Sequence, residues 1–260
     1  MLWLSIIAAI VAAIVVISIA KRHGKSDAHF VTFADVKYAA TLRRIQRQAR
    51  AAFRPDRIHA MTERDLGPDY WNAHATFVRD NPRGFGYWTW KPYVVRKVLS
   101  GMREGEVLVY ADAGSTIGSV ARIKELASMD ADVVAFYVPD KYDPREGRWT
   151  KREVLRAFGV DDEAMRASKQ VMATAFFVRN TARSRSLIDE WYHACSRYAL
   201  VDDSLTPDDQ HPEFSENRHD QSIFSLLIKA AMPSGRIAVL EDEIETHRPC
   251  DAIRATRKKY

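Results

Sequence analysis

Cysteine is scarce in this sequence. Cys195 and Cys250 are the only two among 260 residues, and they lie far apart. Disulfide-stapled secreted scaffolds need more pairs than that, and two lone thiols agree with a reducing compartment. No segment repeats at a period of about 20–50 residues, which excludes solenoids and propellers, and no low-complexity tract or linker divides the chain. A basic stripe is missing as well. The formal net charge is +5, but Lys21, Arg22 and Lys25 cluster near the start, and Arg254, Arg257, Lys258 and Lys259 near the end, offset there only by Asp251. The body between them is close to neutral, which argues against a nucleic-acid partner. The basic ends read as contacts with anionic lipid, worth roughly 1 kcal/mol per residue near a surface, or as a solvated tail.

The sequence does have one long apolar run. "MLWLSIIAAIVAAIVVISIA" carries no charged side chain from Met1 to Ala20, and as a helix it would span about 30 Å, the thickness of a bilayer core. No Lys or Arg precedes it and "KRHGK" follows, the reverse of the charge order in a cleavable signal peptide. The expectation is a retained transmembrane helix with its basic flank over residues 1–25. It makes the chain a single-pass membrane protein whose domain, residues 26–260, is cytoplasmic. That domain, 47% hydrophobic and 28% charged over the whole chain, has an ordinary globular composition and length enough for a substantial core.

Strand and helix patterns alternate along the domain. "HFVTFAD", "RIHAM", "EVLVYADAG", "DVVAFYVP", "QVMATAFFVRN" and "RIAVLED" read as strands. Helical spacing appears in 36–53, 92–102, 119–129, 150–159, 182–200 and 220–232,. This predicts an α/β fold with a mainly parallel central sheet and helices on both faces, its ligands beyond the carboxyl ends of the strands.

The candidate residues sit at such ends. In "VYADAGS", Asp112 follows an apolar run, and Ala113 and Gly114 keep the loop small; Asp112 is either a ligand-binding carboxylate or a turn residue capping the next helix. In "ENRHDQSIF", His219, Asp220 and Gln221 offer an imidazole, a carboxylate and an amide where a helix starts, or an ordinary Asp N-cap. In "NPRGFGYWTWKPY", Pro92 is well placed as the first residue of a helix that carries Val94 to Met102,. Lys91 then stands at the helix N-terminus, with Arg83 upstream, where an anion would meet N–H groups and an ammonium together. Trp88, Trp90, Tyr87 and Tyr93 are either flat faces for a base or sugar, or core. Asp35 ends the first strand as a ligand or a helix cap, and His247 in "ETHRPCD" follows the last strand.

These motifs in this order, with Asp35-Val36-Lys37-Tyr38, "WTKREV", "FFVRN", "LIDEWYHAC" and "RHDQSIFSLL", resemble small bacterial and viral glycosyltransferases of the GT-A, nucleotide-diphospho-sugar transferase fold. The resemblance runs from about residue 29 to residue 249. It implies a hexosyltransferase-like enzyme that moves a sugar from a nucleotide-diphosphate-sugar donor, and the expected anchor with its cytoplasmic domain suits a glycan or lipid-linked acceptor at the membrane, in cell-surface polysaccharide or glycolipid synthesis. It makes Asp112 the first carboxylate of an Asp-x-Asp motif, but Gly114 stands where the second belongs. A metal, Mn2+ or Mg2+ by preference for oxygen ligands, would then rest on Asp112 and a residue such as His247, similar in placement to a C-terminal metal histidine of some GT-A enzymes. Asp35, Arg83, Trp88, Trp90, Lys91, Asp112, Gly114 and His219 would bind the donor, with Lys91 and Arg83 stabilising the leaving diphosphate. Asp220 would accept the acceptor proton in an inverting enzyme; in a retaining one, Asp220 and Gln221 would position the sugar. The missing carboxylate also leaves a catalytically inactive nucleotide- or sugar-binding module as the alternative. A two-metal phosphate enzyme would need clustered carboxylates that the sequence lacks.

Overall fold

The computed structural model of the chain describes residues 24–206 and 209–257. Its strands are β1 (His29–Phe33), β2 (Ile58–Met61), β3 (Val107–Ala111), β4 (Thr116–Ile117), β5 (Val133–Phe136), β6 (Ala175–Arg179), β7 (Ile237–Leu240) and β8 (Ile253–Arg254). The longer helices are α1 (Ala39–Ala52), α2 (Pro68–Asp80), α3 (Trp90–Ser100), α4 (Val120–Ser128), α5 (Ala182–Cys195) and α6 (Asp220–Ala231), with shorter helical turns between them.

Period-two burial explains the layers. All five residues of β3 are buried, and alternate side chains serve two separate cores. Leu108 and Tyr110 join Phe176 and Val178 of β6 on one face, under Val94 of α3, Trp191 of α5 and Phe224 of α6. Val107, Val109 and Ala111 join Phe177 on the other, under Leu42 and Ile45 of α1 and Ile123 of α4. The sheet order is β2-β1-β3-β6-β5-β7. β1 pairs parallel with β2 and β3, and β5 with β7, whereas β6 runs antiparallel to both β3 and β5. The sheet is therefore mixed, with one reversed strand inside it.

From β1 the chain steps to β2 on one side and later to β3 on the other. The carboxyl ends of β1 and β3 thus flank a topological switch point, where α/β sheets leave a crevice. A separate two-stranded ribbon, β4 with β8, folds the C-terminal segment back beside that crevice.

The expected N-terminal transmembrane helix, and the single-pass membrane localisation built on it, are corrected. Among the described residues no helix is long and apolar enough to cross a membrane. The longest, α1 and α5, have 14 residues each, about 21 Å at 1.5 Å per residue, and each carries one buried stripe rather than an apolar surface all round. The run Met1–Ala20 lies outside the described residues.

Helix α2 is absent from the sequence expectations, although Pro68 at its first turn and buried Tyr70, His74 and Val78 at four-residue spacing mark it,. The helical turn Glu146–Trp149 is held to α6 by a buried charge. Glu146, fully buried, accepts from Lys229, Ser225, Thr150 and Gln170, the last at 3.1 Å. Lys229 also donates to Ser168 Oγ at 2.7 Å. Burial pushes the Lys229 ammonium below its usual range and Glu146 opposes the fall. Lys229→Met would leave a buried carboxylate without its counter-ion, and urea unfolding should show a loss of about 3–5 kcal/mol. Adding Glu146→Gln should restore much of it. A loss under about 1 kcal/mol in the single variant would mean that the pair does not hold α6 in place.

Candidate functional site

The aromatic stretch before α3 forms a left-handed turn. Gly84, Phe85, Gly86, Tyr87 and Trp88 all have positive φ, from 50° to 81°. Glycine is needed at two of these places for space as well as torsion: a Cβ at Gly84 would lie 2.5 Å from the Trp88 ring, and one at Gly86 2.8 Å from Val78. Hydrogen bonds from Gly86 N to Asn81 O, Tyr87 N to Arg83 O and Trp90 Nε1 to Gly84 O close the turn. Trp90 stacks on Phe33 at the end of β1, with ring centroids 4.2 Å apart. Trp88 stacks on His219, 5.1 Å away. His219, itself at φ 56°, donates from Nδ1 to the Val201 carbonyl at 2.6 Å, and burial holds its pKa below the usual range.

α3 begins at Trp90, two residues before Pro92, so Lys91 lies in its first turn. Its ammonium does not face an open anion site. It is 4% exposed and sits 2.8 Å from Asp220 Oδ2, 3.4 Å from Asp112 Oδ1 and 3.3 Å from the Ala173 carbonyl. The protein's own carboxylates are its anions. Burial pushes Lys91 down, but Asp112 and Asp220 outweigh it and hold the ammonium above its ordinary value. Tyr110, kept protonated by burial and by Asp112, donates to Asp112 Oδ1 at 2.6 Å. Asp220 is 3% exposed, and its backbone carbonyl accepts from Trp191 Nε1.

Two cavities open at the strand ends. The larger, about 610 Å³, lies at the switch point and is lined by Asp35, Arg83, Trp88, Trp90, Asp112 and Gly114, together with Lys37, Ser115, Thr174 and Arg257. The smaller, about 190 Å³, is lined by Trp149, Gln170, Arg218, Gln221 and Glu245, and shares Thr174 and Arg257 with the first. Six of the predicted donor residues therefore share one wall system. Lys91 stands behind Asp112, and His219 backs Trp88. Gln221 belongs to the second cavity, where Ala173 N donates to its Oε1 and its own amide donates to Gln170. Asp220 lines neither cavity. Asp35 makes no side-chain cap and its Oδ1 lacks a partner, while the helix after Asp112 is capped by Ser119 instead.

The residues present do not fit a protein-held Mn2+ or Mg2+. Such ions take oxygen ligands from several groups, whereas Asp112 Oδ1 already faces Lys91 and Tyr110, and Gly114 offers no side chain. His247 lines neither cavity, and its Nε2 lies 3.2 Å from the Ala255 carbonyl. Among the described residues no group of three His, Cys, Asp or Glu could hold a metal ion.

Sequence reasoning missed Tyr110, Ser115, Thr174, Arg218 and Arg257. Tyr110 and Ser115 flank the Asp-x-Gly motif and could have been taken with it. Arg257 was hidden in the basic end, whose described part is no solvated tail: Asp251, Ala252, Ile253 and Ala255 are buried. Arg218 lies with its guanidinium 4.0 Å over the Trp149 ring.

No protein-family model matches the sequence, and no curated protein matches it. The chain is similar to the solved structure of the galactosyltransferase LgtC in complex with donor and acceptor sugar analogs, at 16% identity over 83% of this chain and 74% of that one, TM-score 0.47. It is similar to a glycosyltransferase involved in glycosylation of the major capsid of PBCV-1, at 10% identity over 89% and 98%, TM-score 0.47. It is also similar to the apo form of GlyE from Streptococcus pneumoniae TIGR4, at 13% identity over 89% and 54%, TM-score 0.46. All three are glycosyltransferases, the class that the sequence motifs resemble.

Proposed function

We propose that the chain is a glycosyltransferase that binds a nucleotide-diphosphate sugar in the larger cavity and passes the sugar to a glycan acceptor entering through the smaller one. The observation that carries this reading is the pair of adjoining cavities at the switch point, meeting at Thr174 and Arg257 beside the buried Lys91–Asp112–Asp220 cluster. A volume of about 610 Å³ is within the usual range for a small-molecule site. Aromatic faces suit a base or sugar ring, and Asp35 and Asp112 are acceptors for ribose or sugar hydroxyls. Loss of the nucleoside diphosphate builds negative charge, which the cavity's cations are placed to stabilise. In this reading Lys91 and Asp220 are positioning residues: one ammonium fixes the Asp112 carboxylate toward the cavity, and Asp220 fixes the ammonium.

Sugar release from a panel of nucleotide-diphosphate sugars, with simple glycosides as acceptors, tests the proposal on the full chain. Release from one donor, lowered on the order of a hundredfold by Asp112→Asn, is the expected result. Binding of a nucleoside diphosphate with no release from any donor would instead make the chain a binding module.

The buried cluster also predicts a pH dependence. Burial pushes the Asp220 carboxyl up to about 6, Lys91 pulls against that rise, and Asp112 adds to it. In an unfolded chain an Asp titrates near about 3.9. Between about pH 4 and pH 6 the folded chain keeps a proton that the unfolded chain has lost, so this group's contribution to stability falls as pH rises through the window. Urea titrations should find the stability of the wild type relative to Asp220→Asn lower at pH 7 than at pH 4, by on the order of 2–3 kcal/mol. An unchanged difference would mean that Asp220 is not held in this buried environment.

A further inference from the structure

The position of the missing carboxylate is covered by an arginine. After β7 the chain turns back, and β8 pairs with β4 because Gly118 leaves room for it: a Cβ there would meet the Asp251 carbonyl oxygen at 2.1 Å. Gly118 N donates to the Ala252 carbonyl, Thr116 and Thr256 share a hydroxyl hydrogen bond of 2.8 Å, and Thr256 Oγ1 donates to the Gly114 carbonyl at 3.3 Å. This zipper brings the Arg257 backbone over Gly114, with its Cα 3.5 Å from where a Gly114 Cβ would stand.

Arg257 lines both cavities, and its side chain is 68% exposed. Glu245 holds one edge, accepting from Nη1 at 3.1 Å. The charged groups lining the larger cavity are Asp35, Asp112, Lys37, Arg83 and Arg257, and the buried Lys91 already neutralises Asp112 in part. Arg218 lines the smaller cavity with Arg257; burial pushes its pKa down, Glu216 opposes the fall, and the Arg257 and Arg83 charges add to it. Ser115, next to Gly114 and 1% exposed, has a hydroxyl with no partner. Arg83 is paired with Asp203 at 2.9 Å, as Arg257 is with Glu245, so carboxylates hold both guanidinium groups at the cavity. With Lys37 and the unanswered Ser115 hydroxyl they meet beside a position that has no metal ligand.

We propose that the diphosphate of the nucleotide ligand is bound here by side-chain cations, Arg257 foremost with Lys37 and Arg83, in place of a protein-held divalent cation. The inference rests on the donor-site reading above. A guanidinium presents a planar fork that meets phosphate oxygens two at a time, and Glu245 keeps that fork at the junction of the cavities while it is free.

Titration calorimetry of the full chain with UDP, GDP, ADP, CDP and dTDP, each in EDTA and again in MnCl2, tests it. One nucleotide should bind with a Kd that agrees within about twofold between the two conditions. Arg257→Ala should weaken binding in EDTA about tenfold or more, and Arg257→Lys should restore part of it. Gly114→Asp places a carboxylate beside the Arg257 backbone in the larger cavity, and should weaken binding in EDTA while making it respond to Mn2+. Binding by the wild type only in Mn2+, or an Arg257→Ala variant with unchanged Kd in EDTA, overturns the cation proposal and leaves the donor site standing. No binding of any nucleotide in either condition, by protein whose circular dichroism shows it folded, overturns both.

Discussion

One buried ammonium organises this site. Lys91 comes from the first turn of α3, Asp112 from the end of β3, Asp220 from the first turn of α6 and the Ala173 carbonyl from the segment before β6. Four elements distant in sequence are tied at a single nitrogen. A lysine at a helix N-terminus opposes the helix dipole by a few tenths of a kcal/mol to about 1. Leaving the buried Asp220 carboxylate without its cation would cost several times that, about 3–5 kcal/mol,. The pairing therefore decides where the side chain goes. The same arrangement leaves Asp112 as the one member of the cluster that lines the larger cavity, held by Lys91 and Tyr110 before any ligand arrives. Groups fixed in advance need not reorganise when charge develops.

The left-handed turn is the second constraint, and it follows from the first. Lys91 reaches the cluster only if α3 starts at Trp90, and the chain must arrive there from α2 within a few residues. Phe85, Tyr87 and Trp88 accept positive φ to do so, each at roughly 1–2 kcal/mol. Such strain persists where the surroundings over-determine it. Here they do: the turn's own hydrogen bonds, the Trp90–Phe33 stack and the Trp88–His219 stack all hold it. Aromatic density and glycine in one stretch thus have a common cause. The glycines permit the turn and the rings lock it, while Trp88 and Trp90 present surface to the cavity.

Much of this was legible in the residues. Apolar runs located the strands because β3 and β6 are buried on both faces, so neither needs polar alternation. Strand ends with Asp35 and Asp112, and the Arg83–Trp90 stretch, fell into one cavity because the carboxyl edge of a sheet gathers them whatever the loop details. The direction of β6 was not legible: "AFFVR" carries the same buried pattern in either direction, and only pairing reveals the reversal. Lys91 was read as facing a ligand because helix position was visible and burial was not. Asp220 reads from the sequence as a proton acceptor or a sugar-positioning group, and nothing local says that a carboxylate after His219 will be 3% exposed and paired with Lys91. Arg257 was misjudged for a different reason. Charge density marks a tail by composition, but Gly118 and the threonines at 116 and 256 turn part of this one into a strand.

That C-terminal strand has a consequence for how the two cavities behave together. Glu245 is the one carboxylate lining the smaller cavity among the described residues, and Arg257 is its guanidinium partner. Arg257 also reaches the larger cavity. An anion bound there competes with Glu245 for the same fork, because a guanidinium turned toward a diphosphate cannot keep its full contact with the carboxylate. Occupation of the first cavity by such an anion would then raise the negative charge exposed in the second. A metal held by two aspartates would have no such link, since its charge would be answered entirely within one cavity. If the proposed donor reading holds, glycine at 114 and arginine at 257 make the filling of the larger cavity change the electrostatics that an acceptor hydroxyl would meet at the junction by Thr174.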